Sequence, residues 1–371
     1  MNKLENPFII SGYYGKAYFC DREQESRTIT DALCNGRNVV LSAPRKIGKT
    51  GLIHRVFDDL KDDKKLTTIY IDIFSTQNMA DFVRQLATAV IGKFDTRSQK
   101  ALSQIGRFFA SLRPTFGIDT LTGLPQVSVS VSDDQKEQSL KDIFEYLKQS
   151  RQTCYIAIDE FQQIANYPEK GMEALLRSYI QFLPNVHFIF SGSKQHLLRE
   201  MFCSAKRPFY QSAQIISIAQ INQDKYFEFA NTFFVKKGLR LERDVFDCIY
   251  RKFDGYTWYI QLVLNRLYAL NKSVNETMVA EVIAQIILEY NYFYQQLIAT
   301  IPPYHAHLLR AIANENCVKE ITSGKFITKY ELKAASSVKT ALLKLQNLEL
   351  VYKTDNGYIV YDRFLNEWLQ K

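Results

Sequence analysis

Apolar positions recur along the chain in two rhythms, and the change between them falls near residue 222. In the first part, short continuous apolar runs at 38–42 (NVVLS), 67–74, 154–158 and 187–190 alternate with helical spacing at 79–94, 140–149 and 172–182. A run that is apolar at every position predicts a strand covered on both faces, as in a parallel sheet. Strands alternating with helices predict an α/β layered domain with right-handed crossovers. A further helix is expected from Gly51, with Leu52, Ile53, Val56, Phe57 and Leu60 on one face.

One segment interrupts the alternation. Residues 113–131 place Pro, Gly and Thr at turn positions and end in two-residue alternation, which predicts a β-hairpin or pair of short strands inserted as a surface decoration. Beyond 222 the rhythm is helical throughout, with Phe227, Ala230, Phe233, Phe234, Phe246, Ile249 and Tyr250 spaced as one helical core. Pro302-Pro303 then punctuates the chain. The tail reads as helices near 305–314, 328–332 and 336–347, followed by two β-like stretches (351–353 and 358–361) around an Asp355-Asn356-Gly357 turn. Three helices and a hairpin are the pattern of a winged helix-turn-helix. The expected domains are 1–221 (α/β), 222–300 (helical lid) and 301–371 (winged helix).

Composition narrows this little. A chain of 371 residues exceeds one ordinary core, so several domains are expected, and 46% hydrophobic with 23% charged residues excludes a disordered chain. The longest apolar runs, 215–221 and 284–288, fall far short of the roughly 20 residues that cross a bilayer. With no apolar leader at the N-terminus, a cytoplasmic location and no membrane partner are expected. Six cysteines without a CxxC pair suggest small buried residues in a reducing compartment. His305 and His307 are two apart, on different faces of a helix, and suggest no metal site. The net charge of +8 is spread as +5 over 1–220, zero over 221–299 and +3 over 300–371, so no basic arm stands out.

Two segments carry chemistry. The loop Ala43-Pro44-Arg45-Lys46-Ile47-Gly48-Lys49-Thr50 fits the phosphate-binding pattern GxxxxGK[ST], with Ala43 in place of the first glycine, and Gly51 continues into the helix. Backbone N–H groups curl around phosphate there, Lys49 supplies a point charge to the β/γ oxygens, and the Thr50 hydroxyl suits Mg²⁺. The second segment, Tyr155-Ile156-Ala157-Ile158-Asp159-Glu160, is an apolar strand ending in two carboxylates. Asp159 suits the metal and Glu160 the polarisation of an attacking water. A third strand ends in Ser191-Gly192-Ser193, where either serine suits the γ-phosphate or the water; Ser191 is taken first. These residues predict ATP and Mg²⁺ as ligands.

These motifs, together with Phe19-Cys20-Asp21-Arg22-Glu23-Gln24-Glu25, Arg207-Pro208-Phe209-Tyr210 and 362–369 (DRFLNEWL), resemble the archaeal-type P-loop ATPase family of the AAA+/STAND superclass, common in archaea and Bacteroidetes-like bacteria. The resemblance spans nearly the whole chain. It implies a P-loop NTPase core, a helical lid and a winged helix, with Arg22 near the adenine and Arg207 at the γ-phosphate in cis or from a neighbouring subunit. The alternative for Arg207 is a surface salt bridge. Thr257 departs from the Gly-x-Pro that such relatives carry in the lid. The implied activity is ATP hydrolysis by a nucleotide-dependent switch. Three outputs stay open: docking on duplex DNA through 301–371, a protein partner or ATP-dependent self-assembly, and a nucleotide-binding scaffold or signalling module with little turnover.

Overall fold

The computed structural model describes residues 4–93, 114–118, 125–150 and 152–371. They form two compact units, one spanning Ile9–Tyr226 and the other Phe227–Lys371 with the N-terminal segment that ends at Phe8.

The first unit is built on five parallel strands, β1 (Val39–Ser42), β2 (Leu66–Asp72), β5 (Thr153–Asp159), β6 (Val186–Gly192) and β7 (Gln214–Ser217), in the order β2-β5-β6-β1-β7. Parallel strands need crossovers, and helices α2 (Lys49–Asp59), α3 (Met79–Lys93), α4 (Lys136–Gln149), α5 (Met172–Ile180) and α6 (Gln195–Cys203) intervene, while α1 (Glu23–Cys34) precedes β1. The central strands are buried almost throughout, with only Thr153 exposed at the start of β5 and His187 half-buried in β6, as continuous apolar runs require. Strand β7 was not anticipated. Its apolar stretch is an edge, with Ile215 exposed, so it lacks the signature of a covered strand. The expected insertion is a two-stranded antiparallel pair, β3 (Pro114–Ile118) and β4 (Pro125–Val129), in register from Pro114 opposite Val129 to Ile118 opposite Pro125.

The core behind the strand ends is aromatic. Phe161 meets Phe190 at 4.5 Å between centroids and Phe209 at 5.4 Å, and Phe190 meets Phe202 at 5.1 Å. Each fully buried ring contributes about 1.5–3 kcal/mol. Because Phe161 follows Glu160 directly, this cluster anchors the chain just past the end of β5. Asn38 ties the other end of the sheet: its side-chain oxygen accepts from the Phe188 N–H (2.8 Å), and its carbonyl accepts from the Gln214 N–H (2.8 Å).

The second unit is helical with a small hairpin. Its helices are α7 (Gln223–Lys236, which begins in the first unit), α8 (Arg243–Lys252), α9 (Thr257–Ala269), α10 (Glu276–Glu289), α11 (Asn291–Ala299), α12 (Pro303–Glu315), α13 (Gly324–Lys329), α14 (Ala335–Asn347) and α15 (Arg363–Leu369). Phe8 joins it by packing edge-on or tilted against Phe233, Phe234 and Tyr268, while the Asn6 side chain donates to the Asn265 carbonyl and the Asn265 side chain donates to the Phe8 carbonyl. The hairpin β8 (Val351–Thr354) and β9 (Gly357–Val360) pairs with Val351 opposite Val360, and Tyr358 bridges to Val318. Gly357 is required here twice: its φ is +144°, and a Cβ would lie 2.5 Å from the Val318 carbonyl. Helix α15 extends the expected pattern. Asp362 caps it by accepting from the Phe364 and Leu365 N–H groups, and Phe364 then packs on Phe253 and Tyr259, each at 5.2 Å.

Cysteine burial corrects an expectation. Cys20 and Cys154 are buried, but Cys34, Cys203 and Cys248 are exposed, since helix ends and polar helix faces carry them; all six are free thiols. Among the described residues, no helix is long and apolar enough to cross a membrane, and no cluster of three or more His, Cys, Asp or Glu could hold a metal ion.

Candidate functional site

The loop from β1 to α2 is closed by left-handed residues at Lys46 (φ +66°) and Gly48 (φ +99°). Only glycine takes the second conformation without strain, and from it α2 starts directly at Lys49 with no side chain capping its first N–H groups. Uncapped N–H groups and the positive end of the helix dipole make this a place where an anion can settle. Ala43 and Ile47 are buried and fix the loop to the core, while Pro44, Arg45, Lys46 and Gly51 are half-buried and Gly48 and Thr50 exposed. The methyl group of Ala43 is accommodated at the position where the pattern has glycine.

Lys49 is 7% exposed, and its ammonium donates to the Ala43 and Pro44 carbonyls at 2.9 and 3.0 Å. Burial pushes its pKa down from 10.5 to about 8, against the pull of the Asp159 and Glu160 carboxylates. A cation held in this way gains from an arriving anion.

Strand β5 brings the carboxylates to the same edge. Asp159, 4% exposed, accepts on Oδ2 from the Thr50 hydroxyl at 2.7 Å and the Tyr70 hydroxyl at 3.0 Å, and on Oδ1 from the Glu160 N–H at 3.0 Å. Burial, with Asp159 adding to it, raises the Tyr70 phenol pKa, so the phenol remains a donor. A hydroxyl and a carboxylate in contact are hard oxygen donors of the kind Mg²⁺ takes, and Mg²⁺ needs only one or two protein carboxylates beside substrate phosphate. The donor set therefore fits that ion.

Glu160 turns the chain with a left-handed backbone (φ +57°, ψ +37°), a strained conformation for a non-glycine residue. Its Oε2 accepts from Gln162 Nε2 at 2.5 Å, from the Ser193 hydroxyl at 2.8 Å and from the Ser193 N–H at 3.4 Å. Arg45 Nε donates to the Ser193 hydroxyl oxygen at 3.0 Å. The structure thus brings together Ala43, Pro44, Arg45, Lys49, Thr50, Asp159 and Glu160.

Three other expected residues stand differently. Ser191 is fully buried at the end of β6 with its hydroxyl unpartnered, whereas Ser193 is the serine that reaches Glu160. Arg22, 4% exposed, takes a left-handed backbone (φ +71°) ahead of α1 and donates Nη1 to Glu25 at 2.7 Å, with Nη2 unpartnered. Nearby Phe19 crosses the start of α2, where a Cβ on Gly51 would come 3.1 Å from its ring. Arg207 is engaged by two carboxylates, Glu173 through Nε at 3.2 Å and through Nη2, and Glu200 through Nη1 at 3.4 Å. Tyr70 and Gln162 were not anticipated. Nothing in their sequence context marks them, because each acts only through the carboxylate it meets in space.

Comparison with known proteins gives the family and the fold. A family described as an ATPase domain predominantly from Archaea matches residues 19–263, and a probable winged helix domain matches residues 292–371. Comparison with curated proteins finds no match. Among solved structures, the Walker-type ATPase PABY2304 of Pyrococcus abyssi is similar at TM-score 0.67 and 18% identity, over 98% of this chain and 100% of that one. The ORC2 protein of Aeropyrum pernix in ADPNP–ADP complexes is similar at TM-score 0.56 and 15% identity, over 98% of each chain. ORC1 of the same organism, in complex with DNA, is similar at TM-score 0.56 and 14% identity, over 98% of this chain and 96% of that one. At these identities the likeness is one of fold.

Proposed function

The chain belongs to the ATPase family predominantly from Archaea and carries a C-terminal winged helix; from that premise we propose that it hydrolyses ATP at the edge of the sheet formed by β1, β5 and β6. The observation that carries this reading is the contact between the Thr50 hydroxyl and Asp159 beside a buried Lys49 at an uncapped helix start.

In this reading the amides of residues 43–51 cradle the phosphates and Lys49 sets its charge against the β/γ oxygens. Thr50 and Asp159 would hold Mg²⁺, which neutralises phosphate charge when bound. Tyr70 fixes the Asp159 carboxylate. Glu160 accepts the proton of the water that attacks the γ-phosphorus as the bond to the ADP oxygen breaks. Arg22 lies towards the base, and Ser191 at the end of β6 is assigned to sensing the γ-phosphate or positioning the water. Arg207 is proposed here as a tie between α5 and α6, because two carboxylates already occupy its guanidinium. The test is titration of Mg-ATP onto wild type and Lys49→Ala: loss of roughly 100-fold or more in affinity supports the site, and unchanged affinity removes it.

The three-part division at about 221 and 300 remains the proposed organisation, with the cycle acting as a nucleotide-dependent switch. For the output, the exposed face of α14 favours a protein partner or self-assembly over duplex DNA. It sets Leu343, 55% exposed, among Lys339, Thr340 and Lys344, which is too few cations for a phosphate-dominated interface. Duplex binding that appears at low salt and fades steeply as salt rises would reverse that preference.

A further inference from the structure

A buried amide next to the β5 carboxylates is not accounted for by the roles above. Gln162 is 3% exposed; its Nε2 donates to Glu160 Oε2, and its own Oε1 is buried without a partner. Turning the amide over would set oxygen against the carboxylate, so the observed orientation is the one in which it can donate. A buried acceptor left unpaired is unfavourable. A core position that tolerates it is occupied for the sake of the other end of the amide.

The surroundings are shaped to the same end. Gly192 lies where β6 ends, and a Cβ built there would come 1.9 Å from Gln162 Oε1 and 3.0 Å from its Cδ. The backbone at Gly192 is not in the left-handed region, so glycine is needed there for room and not for conformation. On the other side, the Ser193 hydroxyl and N–H complete three donors on Glu160 Oε2. Among the described residues, that single oxygen takes all the hydrogen bonds of the carboxylate, which leaves Oε1 as the acceptor for water. Ser193 in turn accepts from Arg45 of the loop that follows β1.

We infer that Gln162 and Ser193 are positioning residues: they hold Glu160 by Oε2 so that Oε1 faces the attacking water, and Arg45 links that orientation to the loop carrying the phosphates. The inference rests on the reading of Glu160 as the base. It assigns no chemistry to Gln162 itself. Its effect on turnover passes entirely through Glu160.

The test uses the full chain, with Mg-ATP turnover, nucleotide affinity and thermal melting measured for wild type, Gln162→Leu, Gly192→Ala and Ser193→Ala, each also combined with Glu160→Gln. Gln162→Leu removes the donor at similar volume. Gly192→Ala leaves the Gln162 side chain chemically intact and displaces its flexible end. Expected are a fall in kcat on the order of 10- to 100-fold for Gln162→Leu and Gly192→Ala, a smaller fall for Ser193→Ala, and nucleotide affinity and melting temperature close to wild type. In the Glu160→Gln background the same changes should cost nothing further, a result that a merely structural role would not give. If Glu160→Gln loses turnover while both Gln162→Leu and Gly192→Ala keep wild-type kcat, the positioning role is wrong and the base stands. If Glu160→Gln turns over normally, or the wild type does not hydrolyse ATP, the base falls and the positioning role falls with it. Should Gln162→Leu melt early, Gly192→Ala and Ser193→Ala decide.

Discussion

The two compact units both bury polar side chains, but they use them differently. In the α/β unit, Lys49, Asp159, Gln162, Ser191 and Ser193 are all buried where β1, β5 and β6 end or just beyond; Gln162 and Ser193 both donate to the Glu160 carboxylate, and Asp159 accepts from Thr50. In the helical unit, buried and half-buried polar residues around α15 act as staples. Arg363 pairs with Asp254 and lies over the Tyr256 ring, the half-buried Trp368 donates to Asn291 at 2.8 Å, and Asn366 donates to Asn316 at 3.0 Å. Lys252 and Glu367 add an ion pair at 2.7 Å. The staples join α15 to the helices around it and converge on no common point. Polar burial that converges marks a site; polar burial that is dispersed marks an assembly joint.

The largest expected effect on that contrast comes from Phe364, whose ring is buried among Phe253, Tyr259 and Trp258. Phe364→Ala should destabilise the helical unit by about 3–5 kcal/mol, as large-to-small aromatic changes in cores do. It should leave nucleotide affinity of the folded fraction unchanged. Denaturant melts alongside nucleotide titration check this, and a loss of affinity without a loss of stability would mean that the staple is part of the site.

A second effect is on pH. With the Lys49 pKa lowered to about 8 by burial, the free protein carries a charged ammonium below that pH and loses it above. An arriving phosphate favours the charged form, so binding above pH 8 takes up a proton and affinity should fall by up to about tenfold per pH unit. The same shift makes stability rise with pH between about 8 and 10.5, where the unfolded chain holds a proton that the folded one lacks. Titrations at pH 7, 8 and 9 suffice; a flat profile would show that Lys49 is not the ligand-linked cation.

The smallest effect is expected at Arg207. Of its partners, Glu200 is exposed and Glu173 is half-buried, and burial raises the Glu173 pKa while the arginine opposes it. Arg207→Ala should change turnover by no more than about threefold, since partly exposed ion pairs contribute little. A fall of two orders of magnitude would return Arg207 to the γ-phosphate.

Much of this was readable beforehand because it is local. A strand apolar at every position, a glycine before a lysine and a pair of carboxylates at a strand end are contiguous patterns, and β1, β5 and α2 lie where they predict. The wing was readable for the same reason, through its Asp355-Asn356-Gly357 turn. What escaped is non-local or short. Arg45 and Ser193 are 148 residues apart and Ser193 and Glu160 are 33 apart, so their bonds exist only once β1, β5 and β6 lie side by side. Strand β7 escaped because an edge strand of four residues has no two-faced burial to display. Helix α15 is only seven residues long, and its one local signal was the capping Asp362. For Arg207 the charge was visible and its two carboxylate partners were not.

The central claim is that Glu160 drives turnover at the site where Lys49 binds phosphate. Phosphate release from saturating Mg-ATP, compared between wild type and Glu160→Gln at equal nucleotide occupancy, tests it most directly. A loss of at least about 100-fold is expected in the variant, with nucleotide still bound. Wild-type turnover by Glu160→Gln would contradict it.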